Sequence, residues 1–285
     1  MKIAVLGSTG MAGHMVSLYL EEAGHIVYRA SRSERNTLTS RTVDAADPAA
    51  LRAWLEEVRP DGVVNCIGLL QRACEARPDR AVLLNAYIPH YLESLFSQER
   101  TKVIHLSTDC VFSGSKGGYA ENALPDGRTM YDRSKALGEL NNRKDLTLRM
   151  SIIGPDTDPG GTGLLNWFMA QKGEIQGYSK TLWNGVTTLE LAKAVEWALR
   201  TEVAGLYHLV PAVAMDKYSL LRLFQQTFQK EDVQISRIDG PQLDKTLVNT
   251  RTDFGFQVGS YPAQLEELKQ WMQAHRELYP HYRIP

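Results

Sequence analysis

The chain has 285 residues, 43% of them apolar, and a formal net charge of -1. That length allows one large domain or one and a half, with a sizeable core, and the apolar share excludes general disorder. The near-zero charge excludes a general pull toward nucleic acid or an anionic membrane, and no apolar run approaches the roughly 20 residues of a membrane span.

The opening run, Met1-Lys2-Ile3-Ala4-Val5-Leu6, leads straight into Gly7. It reads as a buried strand and is too short for a secretory signal. Residues 11–23 follow as an amphipathic helix with Met15, Leu18 and Tyr19 on its apolar face. Further strands are expected at 26–30, 62–67, 102–106 and 146–150, with helices at 48–58 and 81–96. Strands alternating with helices mean βαβ units, and so an α/β fold with a doubly wound parallel sheet of the Rossmann kind. After Met150 the texture changes. The turn-rich run Gly154-Pro155-Asp156-Thr157-Asp158-Pro159-Gly160-Gly161 predicts a loop. Helices are then expected at 188–199, 215–228 and 263–278, with Thr187 or Thr188 capping the first, and a strand at 206–210. The tail His281-Tyr282-Arg283 reads as a solvated terminus. Residues 1–150 are expected to bind a dinucleotide. Residues 151–285 are expected to form mainly a less regular substrate region, with about 185–210 returning to the first domain.

Gly7, Thr9, Gly10, Met11 and Gly13 mark a glycine loop between the first strand and the first helix. Such a loop turns tightly, lets backbone approach a pyrophosphate and aims a helix N-terminus at it. A carboxylate at the end of the second strand would hold a ribose 2′-hydroxyl. That strand instead ends Arg29-Ala30-Ser31-Arg32. Ser31 and Arg32 suit a 2′-phosphate, so NADPH is the expected cofactor, with NADH still open. Asp44 is a candidate for the adenine contact, or a turn residue ahead of the next helix.

Tyr131 and Lys135 are four apart in a helix-forming stretch expected to span 131–142, so they share a face. A nearby ammonium lowers a phenol's pKa toward a useful range. In a carbonyl reduction Tyr131 would protonate the oxygen, Lys135 would tune Tyr131 and grip the nicotinamide ribose, and Thr108 would orient the carbonyl. Cys66, Cys74 and Cys110 are odd in number and lack Cys-x-x-Cys spacing, so a reducing cytoplasm is expected and a disulfide framework is not. The seven histidines lack paired ligand spacing, so no metal is expected. His105 in its apolar strand reads as a core residue.

These residues resemble the extended short-chain dehydrogenase/reductase superfamily, and within it the dTDP-4-dehydrorhamnose reductases and related nucleotide-sugar reductases. The run Leu106-Ser107-Thr108-Asp109-Cys110-Val111-Phe112-Ser113-Gly114, followed by Tyr119-Ala120-Glu121-Asn122, is similar to that family's "STDYVFDG…Y.E". Tyr131-Asp132-Arg133-Ser134-Lys135-Ala136-Leu137-Gly138-Glu139 is similar to its "YG.SK..GE". Asn65-Cys66-Ile67-Gly68 stands where the family lines the cofactor, Asn85 matches a helix Asn, and Leu148-Arg149-Met150-Ser151 resembles its "lRtsw". The resemblance implies Thr108, Tyr131 and Lys135 as catalytic residues. It implies Asn65, Cys66, Ile67, Asn85 and Ser107 beside the cofactor. Its implied substrate is a nucleotide-linked 4-keto-6-deoxy sugar reduced at C4, for cell-surface polysaccharide precursors. Asp109, Val111, Phe112, Ser151, Asn166 and Trp183 are expected on the substrate side, with Asn166 alternatively capping a helix. Cys110 replaces an aromatic, Ile152 stands near another, and Trp183-Asn184-Gly185-Val186-Thr187-Thr188 departs from "dQ.g.pT". Relatives include monomers and homodimers. The alternatives are an epimerase or dehydratase of the same superfamily, or a regulatory subunit that binds NADP without turnover.

Overall fold

A computed structural model describes residues 1–285. The apolar runs of the first half lie side by side as β1 (Lys2–Leu6), β2 (Ile26–Ser31), β3 (Ser40–Thr42), β4 (Gly62–Asn65), β5 (Lys102–Thr108) and β6 (Leu146–Met150). Four short strands follow, β7 (Ile152–Ile153), β8 (Gly173–Tyr178), β9 (Thr181–Trp183) and β10 (Val186–Thr187), and then β11 (Gly205–His208). The central sheet runs β11-β6-β5-β4-β1-β2-β3, with every neighbour parallel. The expected doubly wound sheet is borne out. Its strand order reverses between β1 and β4, which opens a crevice at their carboxyl ends.

Alternation along each strand feeds two cores. Ile3 and Val5 point into one, with α1 (Met11–Glu22) and residues of the second half. Ala4 and Leu6 point into the other, with α2 (Pro48–Val58). Asp47 caps α2 by accepting from the N–H groups of Ala49 and Ala50, and Pro48 opens the helix where no N–H is needed.

The stretch expected as one helix over 81–96 is broken. After α3 (Gln71–Ala76) comes the single turn α4 (Pro78–Ala81), then a π-helical segment, Val82–Tyr87, then α5 (Ile88–Leu95). Pro89 is the physical reason. It has no N–H to give the Asn85 carbonyl four residues back, and the helix widens there. The next helix, α6 (Met130–Leu137), is shorter than expected and stops at Gly138. Thr129 and Asp132 close a capping box at its start.

In the second half, α7 (Leu164–Ala170) and α8 (Thr188–Leu199) precede β11, and Thr187 is the cap of α8. Residues 215–228 are not one helix. Met215–Asp216 forms β12 against β9, and Asp216 caps α9 (Lys217–Thr227). β13 (Val233–Ile238) pairs with β8, and β14 (Leu243–Asp244) with β9. α10 (Tyr261–Ala274) begins before the expected residue 263 and is followed by a 3-10 turn, Arg276–Leu278. The terminus is not solvated as expected. Tyr279 and Tyr282 are buried, and the Tyr282 hydroxyl donates to Asn166 Oδ1 at 2.7 Å. No helix is long and apolar enough to cross a membrane.

Candidate active site

Gly7 ends β1 with a φ of +74°, a conformation other residues adopt at a cost. Gly13 lets α1 pack onto that turn, since a Cβ there would stand 2.1 Å from the Gly7 carbonyl oxygen. No side chain caps α1, so its first N–H groups remain available to an anion. A cavity of about 390 Å³ opens beside the turn. It is lined by Gly7, Thr9, Gly10, Ser31, Arg32, Asp44, Cys66 and Ile67, among others. Met11 is half-buried and lies near Gly163, at the start of α7.

These surroundings fit the phosphates and adenosine of a dinucleotide. Thr9 Oγ1 donates to Ser31 Oγ at 3.1 Å, which ties the glycine loop to the end of β2. An adjoining cavity of about 330 Å³ is lined by Arg32, Arg77 and Arg80 together with Asp44, which gives this end of the crevice three guanidinium groups. Asp44 Oδ1 accepts from the Ala46 N–H in a local turn, while its other oxygen lies 4.0 Å from Arg80. One carboxylate was missed by reading only the strand end. Glu34 folds back, and Ser8 Oγ donates to its Oε2 at 2.9 Å.

Asn65, Asn85 and Ser107 do not present free side chains to a cofactor. Asn65 Oδ1 accepts from the Ile67 N–H and its amide nitrogen lies 3.2 Å from His105 Nδ1. Asn85 is fully buried in the π-helical segment. Its Oδ1 accepts from the Leu69 N–H at 2.7 Å, and its amide nitrogen donates to the Leu69 carbonyl and to Ser134 Oγ. Ser107 Oγ donates to Glu139 Oε1 at 2.6 Å. The two asparagine side chains fix the backbone at Ile67 and Leu69, and Ser107 ties β5 to Glu139.

Thr108 and Tyr131 meet at the carboxyl end of β5, and Lys135 reaches the same strand at Leu106. Thr108 Oγ1 donates to Asp109 Oδ1 at 3.2 Å, accepts from the Cys110 N–H at 3.1 Å, and stands beside the Tyr131 phenol. Burial pushes the Tyr131 pKa well above its usual value. The neighbouring Cys110 adds to that, and the Thr108 hydrogen bond opposes it. The expected lowering by Lys135 is absent here. The Lys135 ammonium donates instead to the Leu106 carbonyl at 2.6 Å and lies 3.4 Å from His105 Nε2. Burial brings its own pKa down to about 8, against the charge of Glu139. His105 is fully buried between Asn65 and Lys135, and burial with the Lys135 charge keeps it neutral.

The substrate side needs correction. Val111 and Phe112 are fully buried and face a small core, where the Phe112 ring stacks on Tyr119 and carries the Arg149 guanidinium 4.9 Å from its centroid. Asn166 neither caps α7 nor faces the site. Gly163 is the cap residue, and the Asn166 amide donates to the carbonyls of Pro159 and Gly161. It therefore organises the turn-rich loop. Ser151 Oγ accepts from Trp183 Nε1 at 2.9 Å, and Trp183 is itself buried against Tyr261. Asp109 is half-buried, with its pKa raised by desolvation and opposed by the charges of Lys245 and Lys217.

A family model described as "RmlD substrate binding domain" matches residues 1–246. The chain belongs to that family. It is 33% identical over 157 residues to the probable low-salt glycan biosynthesis reductase Agl14 of Haloferax volcanii, an alignment covering 52% of each chain. The match therefore spans about half the length of that relative. The spore coat polysaccharide biosynthesis protein SpsK of Bacillus subtilis is 29% identical over 217 residues, covering 73% of this chain and 72% of that one. Among solved structures, the dTDP-4-dehydrorhamnose reductase of Bacillus anthracis in complex with NADP superposes with a TM-score of 0.79 at 18% identity, over 94% of this chain and 98% of the other. At that identity the likeness shows a shared fold.

As a member of the RmlD family the chain departs from expectation mainly around Asp109. Two lysines that sequence reading passed over, Lys217 and Lys245, act on that carboxylate. Lys217 lies inside an amphipathic pattern that gave no sign of a site. Glu139 was in view as part of the quoted motif, but its contact with Ser107 depends on β5 and α6 packing together.

Proposed function

We propose that the protein is an NADPH-dependent reductase of the C4 ketone of a nucleotide-linked 4-keto-6-deoxy sugar, acting in the synthesis of cell-surface polysaccharide precursors. The observation that carries this reading is that Thr108 stands beside Tyr131 at the carboxyl end of β5, with Lys135 buried against the same strand at Leu106. The relatives named as glycan and spore-coat polysaccharide biosynthesis proteins support the substrate class, and the NADP complex of the Bacillus anthracis enzyme supports the cofactor. The free thiols of Cys66, Cys74 and Cys110 suit a reducing compartment such as the cytoplasm.

A bound NADPH would supply the hydride for the carbonyl carbon. The chain's own residues handle the oxygen. Thr108 turns its hydroxyl from Asp109 to the carbonyl oxygen and holds it beside the phenol. Tyr131, kept protonated by burial, gives its proton to the oxygen as negative charge develops there. Solvent then returns a proton to the phenolate, while the Lys135 ammonium, held on the Leu106 carbonyl, would grip the nicotinamide ribose. Gly7, Gly10 and the start of α1 would hold the pyrophosphate, and Ser31 and Arg32 would hold the 2′-phosphate.

The test is NADPH oxidation, followed by nicotinamide absorbance, with a panel of dTDP- and UDP-linked 4-keto-6-deoxy sugars. Rapid consumption with one of them supports the reading and names the sugar. NADPH binding without consumption of any of them overturns it.

A further inference from the structure

Lys217 is the first residue of α9. The pairing of β12 with β9 sets Met215 opposite Trp183 and Asp216 opposite Leu182. The Lys217 ammonium consequently lies over the Trp183 ring, 4.9 Å from its centroid. That ring is fixed by its bond to Ser151 and by Tyr261, whose ring centroid is 5.4 Å away. The groups that act on the ammonium are Asp109 and Cys110, which directly follow Thr108 in the chain. Neither is hydrogen-bonded to it, and burial draws its pKa down to about 8. Lys245 faces the same two residues from the segment after β14.

Two lysines thus act on the carboxylate of Asp109, which follows Thr108 in the chain. Asp132, the other carboxylate acting on Cys110, is taken up by the N–H groups of Arg128 and Thr129, so the lysines carry the excess charge. A desolvated ammonium without a close anion is costly, and a bound anion relieves that cost. The aromatic face keeps the cation in place meanwhile. A keto sugar is uncharged, and the anionic part of a sugar nucleotide is its diphosphate, one pyranose ring from the C4 carbonyl. We propose that Lys217, with Lys245 beside it, seats the diphosphate of the substrate, so that the charge of this seat sets the affinity for sugar nucleotides. The inference rests on the sugar-nucleotide reading above.

The experiment compares wild type with Lys217→Met, which keeps length and loses charge, and with Lys217→Arg. Steady-state kinetics with the keto sugar should show KM raised about ten- to hundredfold in Lys217→Met, as expected for a lost hydrogen bond to a charged group. The turnover number and NADPH affinity should change far less, and Lys217→Arg should recover much of the loss. Calorimetric titration with dTDP and with UDP, which lack the sugar, should show the same loss of affinity. Unchanged KM and unchanged diphosphate affinity in a folded Lys217→Met protein overturn the proposal. If that variant loses its thermal transition, Lys217→Gln and Lys245→Met take its place under the same criteria. Should the wild type reduce no keto sugar, the reductase reading fails, yet the titrations still decide. Tighter nucleoside diphosphate binding to wild type than to Lys217→Met supports the seat, and equal or absent binding sinks it.

Discussion

The Nζ of Lys135 donates to the main-chain carbonyl of Leu106 at 2.6 Å, joining α6 to the strand that carries Thr108. That bond ties Lys135 to the strand that ends in Thr108, the two parts of the proposed catalytic group. It also directs the ammonium at β5, and burial dominates the Tyr131 phenol and raises its pKa, which keeps the proton that the proposed reduction would use.

The alkaline limb of activity follows from Lys135. Burial depresses its pKa to about 8 in the ligand-free protein, so the ammonium is present below that pH and lost above it. The kcat/KM for reduction is therefore expected to be flat toward neutrality and to fall as pH rises through about 8. Glu139 holds this pKa up, so Glu139→Gln should move the limb to lower pH. A pH profile of NADPH oxidation checks both. A limb that stays in place in Glu139→Gln removes Glu139 from this role.

Tyr131→Phe removes the proton donor and little else. Turnover should fall by about 10²- to 10⁴-fold, the range typical of a lost general acid. NADPH affinity, followed by fluorescence titration, should hold within a few-fold, because the residues around the phosphates lie elsewhere, at Gly7 and Arg32. Near-wild-type turnover would displace Tyr131 as the acid.

The sequence carried the sheet and the placing of Tyr131 and Lys135 on one helix because both are local signals. Strands buried on both faces are continuous apolar runs, and Tyr131 and Lys135 share a face by helical spacing alone. What it missed depends on contacts between distant segments. Glu34 reaches Ser8 because the loop after β2 doubles back. Lys217 reaches the Asp109 region because β12 pairs with β9. The roles expected of Phe112 and Asn166 failed for the same reason. Each side chain is absorbed by a partner far along the chain, Arg149 for the first and Tyr282 for the second.

Arg149 and Glu139 form a buried two-pronged pair, with Nε to Oε1 at 2.8 Å and Nη2 to Oε2 at 2.5 Å. Both side chains are almost without solvent contact. Removing one partner strands the other, so Arg149→Met should cost about 3–5 kcal/mol in urea unfolding. Arg149→Met with Glu139→Leu should cost much less than the sum of the single changes, because no charge is left alone. The same double change also frees Ser107 Oγ, so activity should stay low even where stability returns.

Cofactor choice is expected to turn on two side chains of opposite charge just after β2. Arg32 lines both cavities there and offers a fork to a 2′-phosphate. Arg32→Ala should weaken NADPH by about ten- to hundredfold, the loss of one hydrogen-bonded charge pair, and leave NADH nearly unchanged. Glu34 works in the other direction. Its carboxylate is held at Ser8 on the glycine loop, where it repels any phosphate nearby. Glu34→Gln keeps an oxygen for the Ser8 hydroxyl and removes the charge, so NADPH should bind several-fold tighter and NADH, with one phosphate fewer, should gain less. Fluorescence titration of both cofactors against the two variants measures the four constants. A loss of NADH affinity in Arg32→Ala equal to that of NADPH would place Arg32 on the pyrophosphate instead of the 2′-phosphate.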